Sequence, residues 1–264
     1  MSSTRVTAWA PVNVALVKHW GLSQTAGDSR ALPARESLSL SLERGATTTV
    51  ELGPHLEGDR IILGGVALRP AEGGKTAAAY GLLSSVREAA GLAGQGALVT
   101  SRSDMPIGAG MASSAAGGAA LTDAALGAAG LLGPATEADL ISWCARAGSL
   151  SALRSLRGGA VRLGVEGGRL VLSSVEPGIE LSVVGCLVEP GPKRVTSSDG
   201  HVAARQSPCF EVFREYSRSA MDAAAASLEM GDLSRLGAVV EAEALAMHGV
   251  MLTSGPPIVY ATDR

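Results

Sequence analysis

Residues 106–116, PIGAGMASSAA, set two glycines and two adjacent serines between a proline and an alanine-rich run. GALVTS at 96–101 reads as a strand leading in, and helical spacing from about Ala115 to Ala129 follows. Strand, glycine turn and helix is the order that aims unpaired backbone N–H groups, and the positive end of a helix dipole, at an anion. Gly108 and Gly110 let the backbone come close to a ligand, and Ala109 and Ala112 keep that approach clear. Ser113 and Ser114 add hydroxyls that can donate to a phosphate or cap the helix. A packed, alanine-rich helix with an ordinary serine cap accounts for the same composition, and both readings stand at this level. The loop carries neither GxxxxGK[ST] nor GxGxxG followed by a suitable acid, so it supports neither a P-loop NTPase nor a dinucleotide fold.

The elements that must position this loop follow from periodicity. Residues 5–17 carry a short strand and a polar break. SLSLSLERGATTTVE at 37–51 alternates and then repeats β-branched residues, which predicts a hairpin or two neighbouring strands. RIILGGVAL predicts a strand pair around Gly64 and Gly65, and residues 75–90 have helical spacing. Thr136 with Asp139 three residues on predicts a capping box that opens a helix through Ala147. AVRLGVEGGRLVLSSV predicts a hairpin turned at Gly167 and Gly168, and ELSVVGCLVEP one more buried strand. Two helical segments separated at Gly231 close the chain. Strands come mostly first and helices later, which is an α+β pattern. The domain division is expected as 1–177 and 178–264.

The chain has 264 residues, 46% hydrophobic and 18% charged, enough to bury a sizeable core. A net charge of −3 gives no broad electrostatic attraction for nucleic acid or an anionic membrane, so a small-molecule ligand is expected and any basic site must be local. No apolar run is long enough to span a bilayer and no secretory leader is evident, so a cytoplasmic location is expected. The three cysteines, Cys144, Cys186 and Cys209, have neither metal-ligand spacing nor an even count, and read as thiols of a reducing compartment.

Five segments in order carry a resemblance: APVNVALVKHWG at 10–21, PIGAGMASSAAG at 106–117, GSLSALRSLRGGAVRLG at 148–164, KRVTSSDG at 193–200 and HGVMLTSGPPIVYATD at 248–263. Together they resemble the diphosphomevalonate decarboxylases, members of the GHMP kinase superfamily, over essentially the entire chain. The resemblance implies a two-lobed α+β GHMP kinase fold, with a ribosomal protein S5 domain 2-like N-terminal lobe and a ferredoxin-like C-terminal lobe. It also implies the chemistry: ATP and Mg²⁺ are used to phosphorylate the C3 hydroxyl of mevalonate 5-diphosphate, after which phosphate and carbon dioxide leave and isopentenyl diphosphate remains. Mg²⁺ would be held mostly by ATP oxygens and water. Family members commonly form homodimers.

Carried over residue by residue, Lys18 matches the family's active-site lysine and Asn13 the nearby polar substrate contact. Arg154 matches the arginine that grips the substrate carboxylate, a task the planar guanidinium fork suits. Ser149 and Ser151 match substrate-contacting serines. Ser101, Ser103, Gly108, Gly110, Ser113 and Ser114 match the nucleotide-facing segment and its phosphate loop. His19 and Arg157 stand where tyrosines are usual, Thr253 where an acid is usual, and Trp20 reads as packing. The family also carries a catalytic aspartate in a segment reading approximately FDAGPN. No DAG tripeptide occurs in the 264 residues, and the second lobe is expected to be incomplete. A GHMP-type kinase that does not decarboxylate, or a non-catalytic ligand-binding relative, therefore stands beside the decarboxylase reading.

Overall fold

A computed structural model of the chain describes residues 3–23, 32–70, 74–106, 110–147, 149–186 and 195–260. In chain order come β1 (Thr4–Val17), β2 (Leu22–Ser23), β3 (Leu32–Pro33), β4 (Ser37–Gly53), β5 (Asp59–Leu63) and β6 (Val66–Leu68). Helix α1 (Gly74–Ala89), strand β7 (Gly96–Ser103) and helices α2 (Ser113–Ala128) and α3 (Glu137–Arg146) follow. A 3-10 turn spans Leu150–Ser155, and β8 (Ala160–Glu166) and β9 (Arg169–Val175) make a hairpin. The chain then forms α4 (Ser197–Ala203), α5 (Phe210–Glu229) and α6 (Leu233–Leu252). This is the mixed α+β architecture the element pattern predicts. Among the described residues no helix is long and apolar enough to cross a membrane.

The chain divides into two compact units, Met1–Asn13 with Ser41–Gly158, and Val14–Leu40 with Gly159–Arg264. A division at 177/178 was expected instead. The two partitions differ because β1 and β4 each run through both units, and hydrophobic alternation along a strand does not reveal where its neighbours change.

In the first unit β5 pairs antiparallel with β6 and parallel with β7, and β7 pairs antiparallel with the later part of β4, Thr48 opposite Ser101. Alternate residues Val50, Leu52, Ala97 and Val99 face one layer, where they meet Leu82, Leu83 and Val86 of α1 and Leu121, Ala124, Ala125 and Leu126 of α2. Burying these side chains contributes roughly 1.5–3 kcal/mol for each large aliphatic. Arg87 of α1 anchors the helix to β5 through a two-point ion pair with Asp59. In the second unit the first residues of β4 pair with β8, and β8 with β9. Met221, Ala224 and Leu228 of α5 and Leu236 of α6 cover Leu38, Leu40, Ala160 and Val175.

Several local expectations hold. Thr136 Oγ1 accepts from the Asp139 amide while the Asp139 carboxylate accepts from the Thr136 amide, the reciprocal box read from the spacing. Gly167 and Gly168 turn the β8–β9 hairpin and Gly64 and Gly65 the β5–β6 pair, all at positive φ. Three expectations are corrected. Residues 4–17 form one unbroken strand, because pairing with β4 carries it through the polar residues; exposed Thr7, for example, bonds Thr49, Oγ1 to Oγ1, at 2.8 Å. Residues 37–53 are likewise one strand and not a hairpin. Gly45 does not turn there: a Cβ on it would lie 2.3 Å from the Ala10 carbonyl oxygen and 2.6 Å from the Trp9 ring, so this glycine serves a close crossing. Of the strand expected over 180–190, residues 180–186 are neither strand nor buried, because no described strand pairs with them and an apolar run alone does not hold a strand; residues 187–190 lie outside the described residues.

Candidate active site

The first unit gathers most of the predicted site residues. Asn13 ends that unit's part of β1 and is 4% exposed. Its Nδ2 donates to the Ser151 carbonyl at 3.0 Å and to Ser155 Oγ at 2.7 Å, which ties β1 to the 3-10 turn. Its Oδ1 accepts from Arg154 Nη2 at 3.3 Å. Arg154 is 2% exposed, and burial alone pulls its pKa down to about 10. A guanidinium so deeply desolvated remains cationic at neutral pH and favours an incoming anion strongly. Ser149 and Ser151 sit at the start of the same turn with their hydroxyls 2.7 Å apart.

The start of α2 supplies the second part. Gly110 has φ 80° and the residue before the helix, Ala112, has φ 55°. A left-handed alanine costs about 1–2 kcal/mol, a strain that the surrounding fold must offset. No side chain caps the helix, and neither Ser113 nor Ser114 takes the capping position that was open to them. The Ala115 and Ala116 amides turn back to the Ala112 carbonyl, and among the described residues no side chain caps the amides of Ser113 and Ser114. Lys75, in the first turn of α1, donates to Ser114 Oγ at 2.8 Å, adding a cation at the same place. Lys75 was missed in the sequence; a single lysine at the head of an alanine-rich helix carries no motif. Gly108 and Ala109 lie outside the described residues, as do Lys193, Arg194 and Asp263.

Two packing contacts set these parts in place. A Cβ at Gly118 would meet Ala152 Cβ at 3.2 Å, so α2 lies directly against the turn that carries Arg154. Ala116 packs with Val12 and Ala46, next to Asn13. Ser101 and Ser103 make structural hydrogen bonds: Ser101 Oγ lies 2.8 Å from Thr48 Oγ1 inside the sheet, and Ser103 Oγ accepts from the Met105 amide at 3.1 Å, turning the chain out of β7. Cys144 is a packing residue, its thiol pushed up to about 12 chiefly by burial.

Lys18 belongs to the second unit. It follows β1 directly, its Nζ lies 5.7 Å from the centroid of the Trp20 ring, and its carbonyl accepts from Arg35 Nη2. Trp20 is fully buried, as its packing assignment requires, and His19 stacks on His201 at 4.9 Å. His201 Nδ1 in turn accepts from the Gly21 amide at 3.1 Å, so the segment after Lys18 is braced at three consecutive residues. Among the described residues no group of three or more His, Cys, Asp or Glu side chains is arranged to hold a metal.

Comparison with known proteins gives a consistent result. The family described as diphosphomevalonate decarboxylase-like N-terminal domain matches residues 10–169. A diphosphomevalonate decarboxylase of Ganoderma lucidum is 30% identical over 283 residues, covering 100% of this chain and 69% of the relative. The crystal structure of mevalonate diphosphate decarboxylase from Staphylococcus aureus superposes with a TM-score of 0.84 at 27% identity, covering 99% of this chain and 78% of that one. MDDEF in complex with MVAPP, AMPPCP and magnesium superposes with a TM-score of 0.83 at 30% identity, covering 99% and 79% respectively.

Proposed function

The chain belongs to the diphosphomevalonate decarboxylase family, and from that premise we propose that it converts mevalonate 5-diphosphate to isopentenyl diphosphate in an ATP-dependent decarboxylation. The observation that carries the reading is Arg154, a desolvated guanidinium held by a neutral amide oxygen on a turn packed against an uncapped helix start. A carboxylate and a phosphate chain are the two groups such an arrangement takes. The shared name of the relatives supports decarboxylation over phosphorylation alone or ligand binding without turnover.

In this reading Arg154 binds the substrate carboxylate and Asn13 keeps the guanidinium from turning away. Ser149 and Ser151 lend hydroxyls to the substrate, and Lys18 keeps the role its sequence match implies, a cation for the phosphorylated end. The amides that open α2, with Gly110, Ser113, Ser114 and Lys75, would hold the nucleotide phosphates; backbone donors and a helix dipole fit that group because they cost no reorganisation when charge develops. ATP with Mg²⁺ supplies the phosphoryl group that makes the C3 oxygen a leaving group. The rest is positioning, which suits a site built from buried, hydrogen-bonded side chains. Three free thiols among the described residues accord with a cytoplasmic setting.

The test is incubation of the purified chain with ATP, Mg²⁺ and mevalonate 5-diphosphate, following ADP and carbon dioxide together. Equal yields of the two are expected. ADP without carbon dioxide would overturn the decarboxylation, and neither product would overturn the activity.

A further inference from the structure

The second unit holds a groove of about 440 Å³ whose lining includes Arg35, Glu36, Arg162, Arg214, Arg218 and Asp222. None of these residues takes part in the function proposed above. Four guanidinia face two carboxylates on this surface, in a chain whose net charge is −3. Glu211 reaches Arg214 at 2.8 Å and Glu243 reaches Arg35, but both come from outside the lining.

Three of the four guanidinia are ion-paired, Arg35 with Glu243, Arg162 with Glu36 and Asp222, and Arg214 with Glu211. Arg214 and Arg218 lie one turn apart on α5, so two like charges share one helix face, with Glu211 offsetting Arg214 on the same helix. Arg218 makes no ion pair among the described residues. Across the groove, Arg162 of β8 is held in place by Glu36 and, at 3.3 Å, by Asp222. Arg35 stacks at 4.0 Å on the Phe213 ring, and its side chain is 4% exposed. Its Nη2 donates to Glu243 and to the Lys18 carbonyl, whereas Nε and Nη1 are buried with no hydrogen-bond partner. The wall therefore carries a partly compensated cation behind the exposed guanidinia of Arg214 and Arg218 and the half-buried Arg162, on a scale usual for small-molecule sites.

We propose that this groove binds a small phosphorylated anion of about the size of a diphosphate. Arg214, Arg218 and Arg162 contact it as planar donors, and Arg35 adds attraction through the wall. Titration calorimetry with inorganic diphosphate tests the assignment on the full chain. Two classes of site are expected in the unaltered protein, one of them in the first unit. The double variant Arg214→Gln/Arg218→Gln, both exposed and so compatible with folding, should weaken one class at least tenfold and leave the other. Arg154→Gln should spare the class that the double variant removes, and Arg235→Gln, exposed on α6, should change neither. Identical isotherms for the double variant and the unaltered protein would overturn the site. So would loss of all binding in Arg154→Gln, or equal weakening by Arg235→Gln, which would reveal only unspecific charge attraction.

Discussion

Two arginines are buried almost equally, one in each unit, yet they are set up for opposite purposes. Arg154 is 2% exposed and donates to the neutral Oδ1 of Asn13, and burial alone lowers its pKa. Arg35 is 8% exposed and is lowered by the same desolvation, but there the charge and hydrogen bond of Glu243 push back. Desolvation disfavours the charge in both places, and at Arg35 a carboxylate stands against it. That carboxylate makes Arg35 first of all a brace between β4's approach, α5 and α6. In the first unit the Asn13 amide oxygen orients the guanidinium. A neutral amide partner orients an arginine without neutralising it, and that combination marks a binding residue more sharply than burial does.

The comparison can be broken most severely at Glu243. Glu243→Gln leaves Arg35 buried without its carboxylate and should cost about 3–5 kcal/mol of stability, read as a lowered urea midpoint, because removing one member of a buried pair strands the other. If stability is unchanged, Arg35 is not a structural cation. Arg154→Gln should show the reverse pattern: folding within about 1 kcal/mol of the unaltered chain, but the KM for mevalonate 5-diphosphate raised about a hundredfold, the scale of losing a buried charge-assisted contact. A large fall in stability with normal KM would reverse the assignment. Asn13→Asp sharpens the contrast by giving Arg154 the kind of partner Arg35 has. The internal carboxylate should compete with the substrate's, raising KM about tenfold, while loss of the Nδ2 donations to the Ser151 carbonyl and Ser155 Oγ should lower thermal stability.

The smallest expected effect concerns a half-buried carboxyl. Burial holds the Asp123 carboxyl above its ordinary value of 3.8, so the folded chain takes up a proton there more readily than the unfolded chain. Stability is therefore greatest below the unfolded value and falls as pH rises through the folded one. Asp123→Asn should melt a little higher at pH 7, with the advantage gone below about pH 4. An advantage that persists at low pH would point to packing instead of charge.

Most of the fold was legible where the cause was local. Thr136 and Asp139 are three residues apart, and the glycines at 64–65 and 167–168 need only their own φ angles to turn a chain. The hairpin or strand pair expected over 37–51 does not form, and the reason for Gly45 lies in another strand, at Trp9 and Ala10. The run at 181–186 misled because a strand exists only with a neighbour. In the site, the phosphate loop could be proposed from spacing, whereas Arg154 and Lys18 drew their weight from matched motifs. Nothing in the sequence singled out Lys75, because its proximity to Ser114 depends on α1 and α2 lying side by side.

By itself, then, the sequence determined the glycine turn before α2, the caps, the hairpins and the chemical types available, all of which depend on residues within a few positions of one another. Only the tertiary structure decided which of those types carry charge out of water. Asn13 and Arg154 are separated by 141 residues, and Arg35 and Glu243 by 208. Desolvation and partner choice are set by what packs around a side chain, and no local pattern encodes contacts across such distances.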